Sequence, residues 1–166
     1  MFSDKTMKRN ATLYLKVILL LSLPTTFAIQ AKAQITNPKY NKALADSLGA
    51  DDYGMKQYVL VILKTGSNNI VDKQKVDSLF RGHMGNINRL ATAGKLVVAG
   101  PLKKNDKTYR GIFILNVKTI EEANSLLETD PAIKEKLLEA ETFIWYGSAA
   151  LPMYLPNHEK VEKLKI

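Results

Sequence analysis

Between Lys56 and Leu151 the spacing of apolar residues changes several times, and each change marks an element. Lys56–Lys64 (KQYVLVILK) is almost continuous in apolar residues, as in a strand buried on both faces. The polar run TGSNN breaks it. From Asp72 to Ala93 the apolar residues recur at steps of three and four, which predicts a long amphipathic helix, and Gly94 stands where a helix often ends. Lys95–Pro101 (KLVVAGP) reads as a short strand stopped by Gly-Pro. KKNDKT is a hairpin loop, and Tyr109–Val117 (YRGIFILNV) the next strand.

Thr119 and Glu122 have the spacing of a capping box that opens a helix running to about Glu128. Asp130-Pro131 suits an N-cap and first helical position, predicting a further short helix over PAIKEKLLE (Pro131–Glu139). Glu141–Ala149 (ETFIWYGSA) is the last strand. Ahead of these elements, Lys39–Gly49 is a short helical candidate, and ADDYG a turn. From Leu151 onward Pro152, Pro156 and many charges leave a weakly amphipathic tail.

The order β-α-β-β-α-β predicts an α+β, ferredoxin-like protomer, a four-stranded antiparallel sheet with helices on one face. Val59, Leu60, Val61, Ile62 and Leu63, and again Ile112, Phe113, Ile114 and Leu115, are apolar on both alternating sets. Neither sheet face is patterned for water, so the expectation is a homodimer joined sheet to sheet.

The first 33 residues change the picture of charge and location. Lys8 and Arg9 precede an apolar run, VILLLSLPTTFA (Val17–Ala28), followed by AKAQ with small residues at Ala31 and Ala33. That is the layout of a signal peptide cleaved after Ala33, and it implies a periplasmic or secreted protein. The run is short for a bilayer span and is interrupted by Pro24, so no stable membrane anchor is expected after cleavage. Residues 1–33 hold five basic side chains and one acidic one; without them the net charge drops from +8 to +4. Much of that excess lies in the tail, NHEKVEKLKI, and no basic run with interleaved aromatics is left to grip phosphates. Nucleic acid is therefore not the expected partner. The chain has no cysteine, which excludes thiol chemistry and disulfide staples.

Four segments result: a signal peptide, 1–33; an extension with a short helix, 34–55; the ferredoxin-like domain, 56–151; and a basic tail, 152–166. Within the domain, Arg81, HMGNINRLATAGKLVVAGPL (His83–Leu102), GIFILNVKTIEEANSLLETDP (Gly111–Pro131) and the closing aromatic strand with Trp145 stand in an order that resembles the YCII-related family of dimeric α/β-barrel proteins. The resemblance covers Lys56 to about Leu151. It implies a ferredoxin-like protomer, a dimer joined through its sheets, and a small-molecule pocket between helices and sheet. Family members carry a His–Asp pair proposed as catalytic, and the matching positions are His83 and Asp130. The extension and the tail depart from the minimal family domain.

His83 occupies a place on the apolar stripe of the long helix, beside Val76, Leu79, Phe80, Ile87 and Leu90, and Gly82 and Gly85 flank it. One reading makes it a core histidine with satisfied ring nitrogens. The other turns its ring to a pocket, where imidazole can move a proton near neutral pH. The glycines serve either reading, by letting a strand or a ligand come close. Asp130 reads as a simple N-cap or as the group that fixes the tautomer of His83, and one carboxylate can do both. Arg81, two residues before His83, is expected to point away from the stripe into solvent, or to reach an anionic substrate. Tyr109 and Trp145 could line a pocket or pack in the core or a dimer interface. Gly100 and Pro101 could shape a rim or only end their strand, and Ser148 is a weak candidate for any direct role.

No His/Asp/Glu cluster has ligand spacing, since His158 lies in the tail, and there is no Gly-rich phosphate loop or dinucleotide fingerprint. The site is expected to work without metal or cofactor. The functions that fit are a small-molecule enzyme using a His–Asp acid/base pair for proton abstraction, isomerisation or elimination; a non-catalytic binder of a small ligand; and an interaction module whose tail docks on a partner.

Overall fold

A computed structural model describes residues 37–163. The expected leader with its cleavage site, and residues 164–166 of the tail, lie outside that range. The backbone divides after Tyr40, and only the turn Asn37–Tyr40 of the first unit is described. The second unit, from Asn41, holds every element named below. Among the described residues no helix is long and apolar enough to cross a membrane.

The elements run α1 (Lys42–Leu48), β1 (Met55–Thr65), α2 (Lys73–Thr92), β2 (Leu96–Pro101), β3 (Tyr109–Leu115), α3 (Ile120–Leu127), α4 (Pro131–Lys134) and β4 (Leu138–Ser148), then a 3-10 turn (Leu151–Tyr154) and α5 (Leu155–Val161). All neighbouring strands are antiparallel, in the order β2-β3-β1-β4, so the α+β, ferredoxin-like expectation holds for the protomer. The two strands richest in apolar residues, β1 and β3, are the inner pair.

Alternation along β1 sets the core. Val59, Val61 and Leu63 are buried and stand opposite Leu115, Phe113 and Gly111 of β3. They pack with Leu90 of α2, Leu96 of β2, Ala123 and Leu127 of α3, Ala132 of α4 and Leu138 of β4. The intervening Leu60 and Ile62, with Ile112 and Ile114 opposite them, project from the other face and are half-buried. Burying one Val or Leu side chain contributes about 1.5–3 kcal/mol. An exposed ion pair such as Lys42–Asp46 (2.7 Å) contributes at most about 1 kcal/mol, so apolar alternation sets the register.

Caps fix the helix starts. Asp72 receives the amides of Gln74 and Lys75 at the head of α2, and Gly94 follows its end with φ 66°. Thr119 accepts from the amide of Glu122 (3.1 Å), but the Glu122 carboxylate is turned to Lys95 (2.9 Å), so half of the expected capping box is replaced by an ion pair. The largest departure from expectation lies after Pro131. The helix stops at Lys134, Lys136 turns the chain with φ 56°, and β4 begins at Leu138, three residues before the expected Glu141. The reason is tertiary: Lys136 and Leu137 carbonyls accept the amides of Asn68 and Gly66, and Leu138 then pairs with Thr65. The tail from Leu151 to Val161 is helical, its prolines Pro152 and Pro156 lying in first turns, and the Tyr154 hydroxyl donates to the Val97 carbonyl of β2.

Candidate functional site

Three buried residues of α2, His83, Asn86 and Leu90, lie at steps of three and four and so on one face of the helix, toward the sheet. The His83 ring stacks on Phe113 of β3 (centroids 5.8 Å apart, planes at 22°) and meets Phe80 edge-on (6.2 Å, 87°). These contacts hold the ring in one plane.

Asp130 is brought to it by the short helix α4. Its side chain is fully buried and divided between two tasks. Oδ1 caps α4, accepting from the amides of Ala132 (2.9 Å) and Ile133 (3.4 Å). Oδ2 lies 2.7 Å from Nδ1 of His83. A carboxylate only accepts, so Nδ1 carries the proton, and in the neutral ring Nε2 presents a lone pair. No described residue bonds Nε2, and the atom is not sealed, because every fully buried side-chain nitrogen or oxygen among the described residues has a partner. The histidine is therefore buried in body, with 8% of its surface exposed, and Nε2 is its unpartnered, unsealed ring nitrogen.

Gly82 makes the approach of α4 to α2 possible, since a methyl group in its place would meet Cγ of Pro131 at 2.5 Å. Gly85 has nothing within 4 Å of that position. A polar set that the sequence reading did not single out continues from the pair. Asn86 Nδ2 donates to Oδ2 of Asp130 at 3.4 Å. Its Oδ1 accepts from Arg89 Nη2 (2.7 Å) and faces the Thr129 hydroxyl (3.0 Å), which in turn accepts from Arg89 (2.7 Å). The signal for Asn86 was its place three residues after His83 on a stripe otherwise apolar.

The remaining candidates do not converge on His83. Trp145 pairs with Tyr58 across β1 and β4 and packs on its ring (5.6 Å), on the sheet face opposite Phe113. There Tyr58 is buried, which raises its phenol above the ordinary value. Ser148 ends β4 and contributes its backbone carbonyl to the Tyr58 hydroxyl (2.8 Å). Gly100 and Pro101 lie on β2, at the opposite edge of the sheet, in register with Ile112 and Gly111, and Tyr109 stands opposite Lys64. With two strands between them, β2 and β4 are about 14 Å apart, too far for their side chains to share one small pocket. Arg81 is exposed and faces a shallow hollow along α2 with Asp77, Phe80, Met84, Gly85 and Asn88. Phe80, which lines that hollow, is the residue that meets the His83 ring edge-on. A second hollow, between α3, α4 and β4, is lined by Asn124, Ile133 and Lys136 among others. Among the described residues no three His, Asp or Glu side chains gather as a metal site.

Comparison with known proteins adds three findings. A family model described as the YCII-related domain matches residues 57–144. No match is found among curated proteins. Among solved structures, the chain is similar to 5-chloro-2-hydroxyhydroquinone dehydrochlorinase from Burkholderia phenoliruptrix, in complex with 2,5-dihydroxybenzoquinone. The identity is 22% and the TM-score 0.36, over 52% of this chain and 90% of that chain.

Proposed function

The chain belongs to the YCII-related domain family, and from that premise we propose that it is a small-molecule enzyme that moves a proton with Nε2 of His83, oriented by Asp130. The observation that carries this reading is the 2.7 Å bond from Nδ1 to Oδ2, with Nε2 left unpartnered and reachable. A buried core histidine needs both nitrogens satisfied. This one has a single nitrogen engaged, by a group suited to fix its tautomer and stabilise the imidazolium that forms when Nε2 takes a proton.

The reaction class is proton abstraction, followed by isomerisation or by loss of a leaving group. His83 is the general base and, once protonated, the general acid, while Asp130 keeps Nδ1–H fixed. No metal, cofactor or nucleophile has a part in this reading, and Ser148, on the far edge of the sheet, has none either. The active form is proposed to be a homodimer seated on the apolar sheet face, exported by the N-terminal leader and cleaved after Ala33.

Solvent hydrogen exchange tests the chemistry before the substrate is known. Enolisable and phenolic compounds are incubated with the protein in D2O, and loss of their acidic C–H signals is followed by NMR. Exchange accelerated by the parent and abolished in His83→Ala is the expected result. Compounds that bind, by chemical-shift perturbation, but exchange no faster with parent than with His83→Ala would make this a ligand-binding protein and end the enzymatic reading.

A further inference from the structure

The polar set behind the pair has a direction. The Arg89 guanidinium, exposed at the end of α2, sends Nη2 to both Asn86 Oδ1 (2.7 Å) and Thr129 Oγ1 (2.7 Å). Thr129 has one hydroxyl proton and two acceptors within reach, the Leu126 carbonyl at 2.6 Å and Asn86 Oδ1 at 3.0 Å. Its closer acceptor is the carbonyl, so Arg89 is the donor that holds the Asn86 amide in place. With Oδ1 turned to Arg89, the amide must present its NH2 to Asp130. Asn86 thus gives Oδ2 a second donor beside His83, and the buried carboxylate is held at both oxygens from two helices, α2 and α4.

Resting on the proton-transfer reading above, we infer that Asn86, latched by Arg89 and Thr129, is a positioning residue of the site. It stops the carboxylate from rotating about its capping bonds, keeping Oδ2 aimed at Nδ1, and so preserves the tautomer whose bare Nε2 meets substrate. Arg89 acts through Asn86: its charge polarises the amide, strengthening the N–H donor at the far end. Neither residue touches the reacting atom. The order of effect follows from the chain of bonds, with Asp130 first, Asn86 second and Arg89 third.

Nitrogen-15 NMR of the His83 ring reads the tautomer directly, which a residue with a merely structural role would leave alone. The parent is expected to show Nδ1 protonated and Nε2 bare. Asn86→Ala is expected to lower the ratio of this tautomer to the other about three- to tenfold, what one hydrogen bond is worth net. Arg89→Ala shifts it the same way by less, and Arg89→Lys recovers part of the loss. Should Asn86→Ala fail to fold, Arg89→Ala decides, because its side chain is exposed. If these variants keep the parental ratio while Asp130→Asn loses it, the inference is overturned and the His–Asp pair stands. If Asp130→Asn also leaves the ratio unchanged, the pair itself is not coupled, and the proton-transfer reading falls with the inference.

Discussion

A methyl group at Gly82 would meet Cγ of Pro131 at 2.5 Å, whereas at Gly85 it would meet nothing. Both glycines weaken the helix by about 1 kcal/mol relative to alanine, so their substitutions should part company. Gly85→Ala is expected to stabilise the protein by about 1 kcal/mol in urea unfolding. Gly82→Ala sets that same gain against overpacking of about 1–3 kcal/mol. The Pro131 ring cannot yield without carrying Asp130 off His83, so a net loss of up to about 2 kcal/mol and a disturbed His83 ring are expected. Equal effects at the two positions would refute this division. From the sequence the two glycines were indistinguishable, because what separates them is a proline that the fold brings up from 49 residues away. Asn86 was hidden for a different reason: a polar residue on an apolar stripe announces burial, but not which partners satisfy it.

Among the elements, the turn between α1 and β1 is fastened to β4 through Asp51. Its Oδ1 receives the amides of Tyr53 (2.9 Å) and Met55 (3.0 Å), and its Oδ2 the hydroxyl of Tyr146. The Tyr146 bond, first, and these amides hold the Asp51 carboxyl below its ordinary value, while the same bond pushes the Tyr146 phenol up to about 12. The signs follow from linkage. A depressed carboxyl stabilises the fold above its unfolded value and loses that contribution as pH falls through the folded one. A raised phenol stabilises below its unfolded value, 10.0, and loses that contribution as pH rises to about 12. Tyr146→Phe should therefore lower the melting temperature at neutral pH, with the gap to the parent narrowing as pH falls through the lowered value of the Asp51 carboxyl. A gap that persists unchanged in acid would show that ring packing, not this bond, is what the variant loses. The spacing of apolar residues sufficed to place β1, α2, β2 and β3 within a residue or two at nearly every end. It failed at α4 and β4, because Lys134 to Ala140 carries no periodic signal strong enough to choose between helix and strand. The choice came from pairing with Thr65 and Lys64.

At the scale of the whole molecule, the sheet has one face covered by helices and one that presents Leu60, Ile62, Ile112, Ile114 and, at 47% exposure, Phe143. Such a surface is expected to seat a second copy. Sedimentation at micromolar concentration should give a dimer for the parent and a monomer for Ile112→Glu, which places a charge at the centre of that face on an inner strand. A parent that sediments as a monomer would remove the sheet-on-sheet assembly. The sequence by itself determined the element order, and with it the antiparallel sheet, because the spacing of apolar residues is local information and the βαββαβ order leaves few ways to bury them. It also pointed to His83 and Asp130, through the misfit of an imidazole on an apolar stripe, the Asp-Pro start of a helix and the family resemblance. Only the tertiary structure decided that the two meet at 2.7 Å, that Asn86, Arg89 and Thr129 stand behind them, and that Trp145 and Ser148 lie elsewhere. Those are contacts across tens of residues of chain. They depend on crossing angles and strand register, which close packing settles for the molecule as a whole and no local pattern encodes.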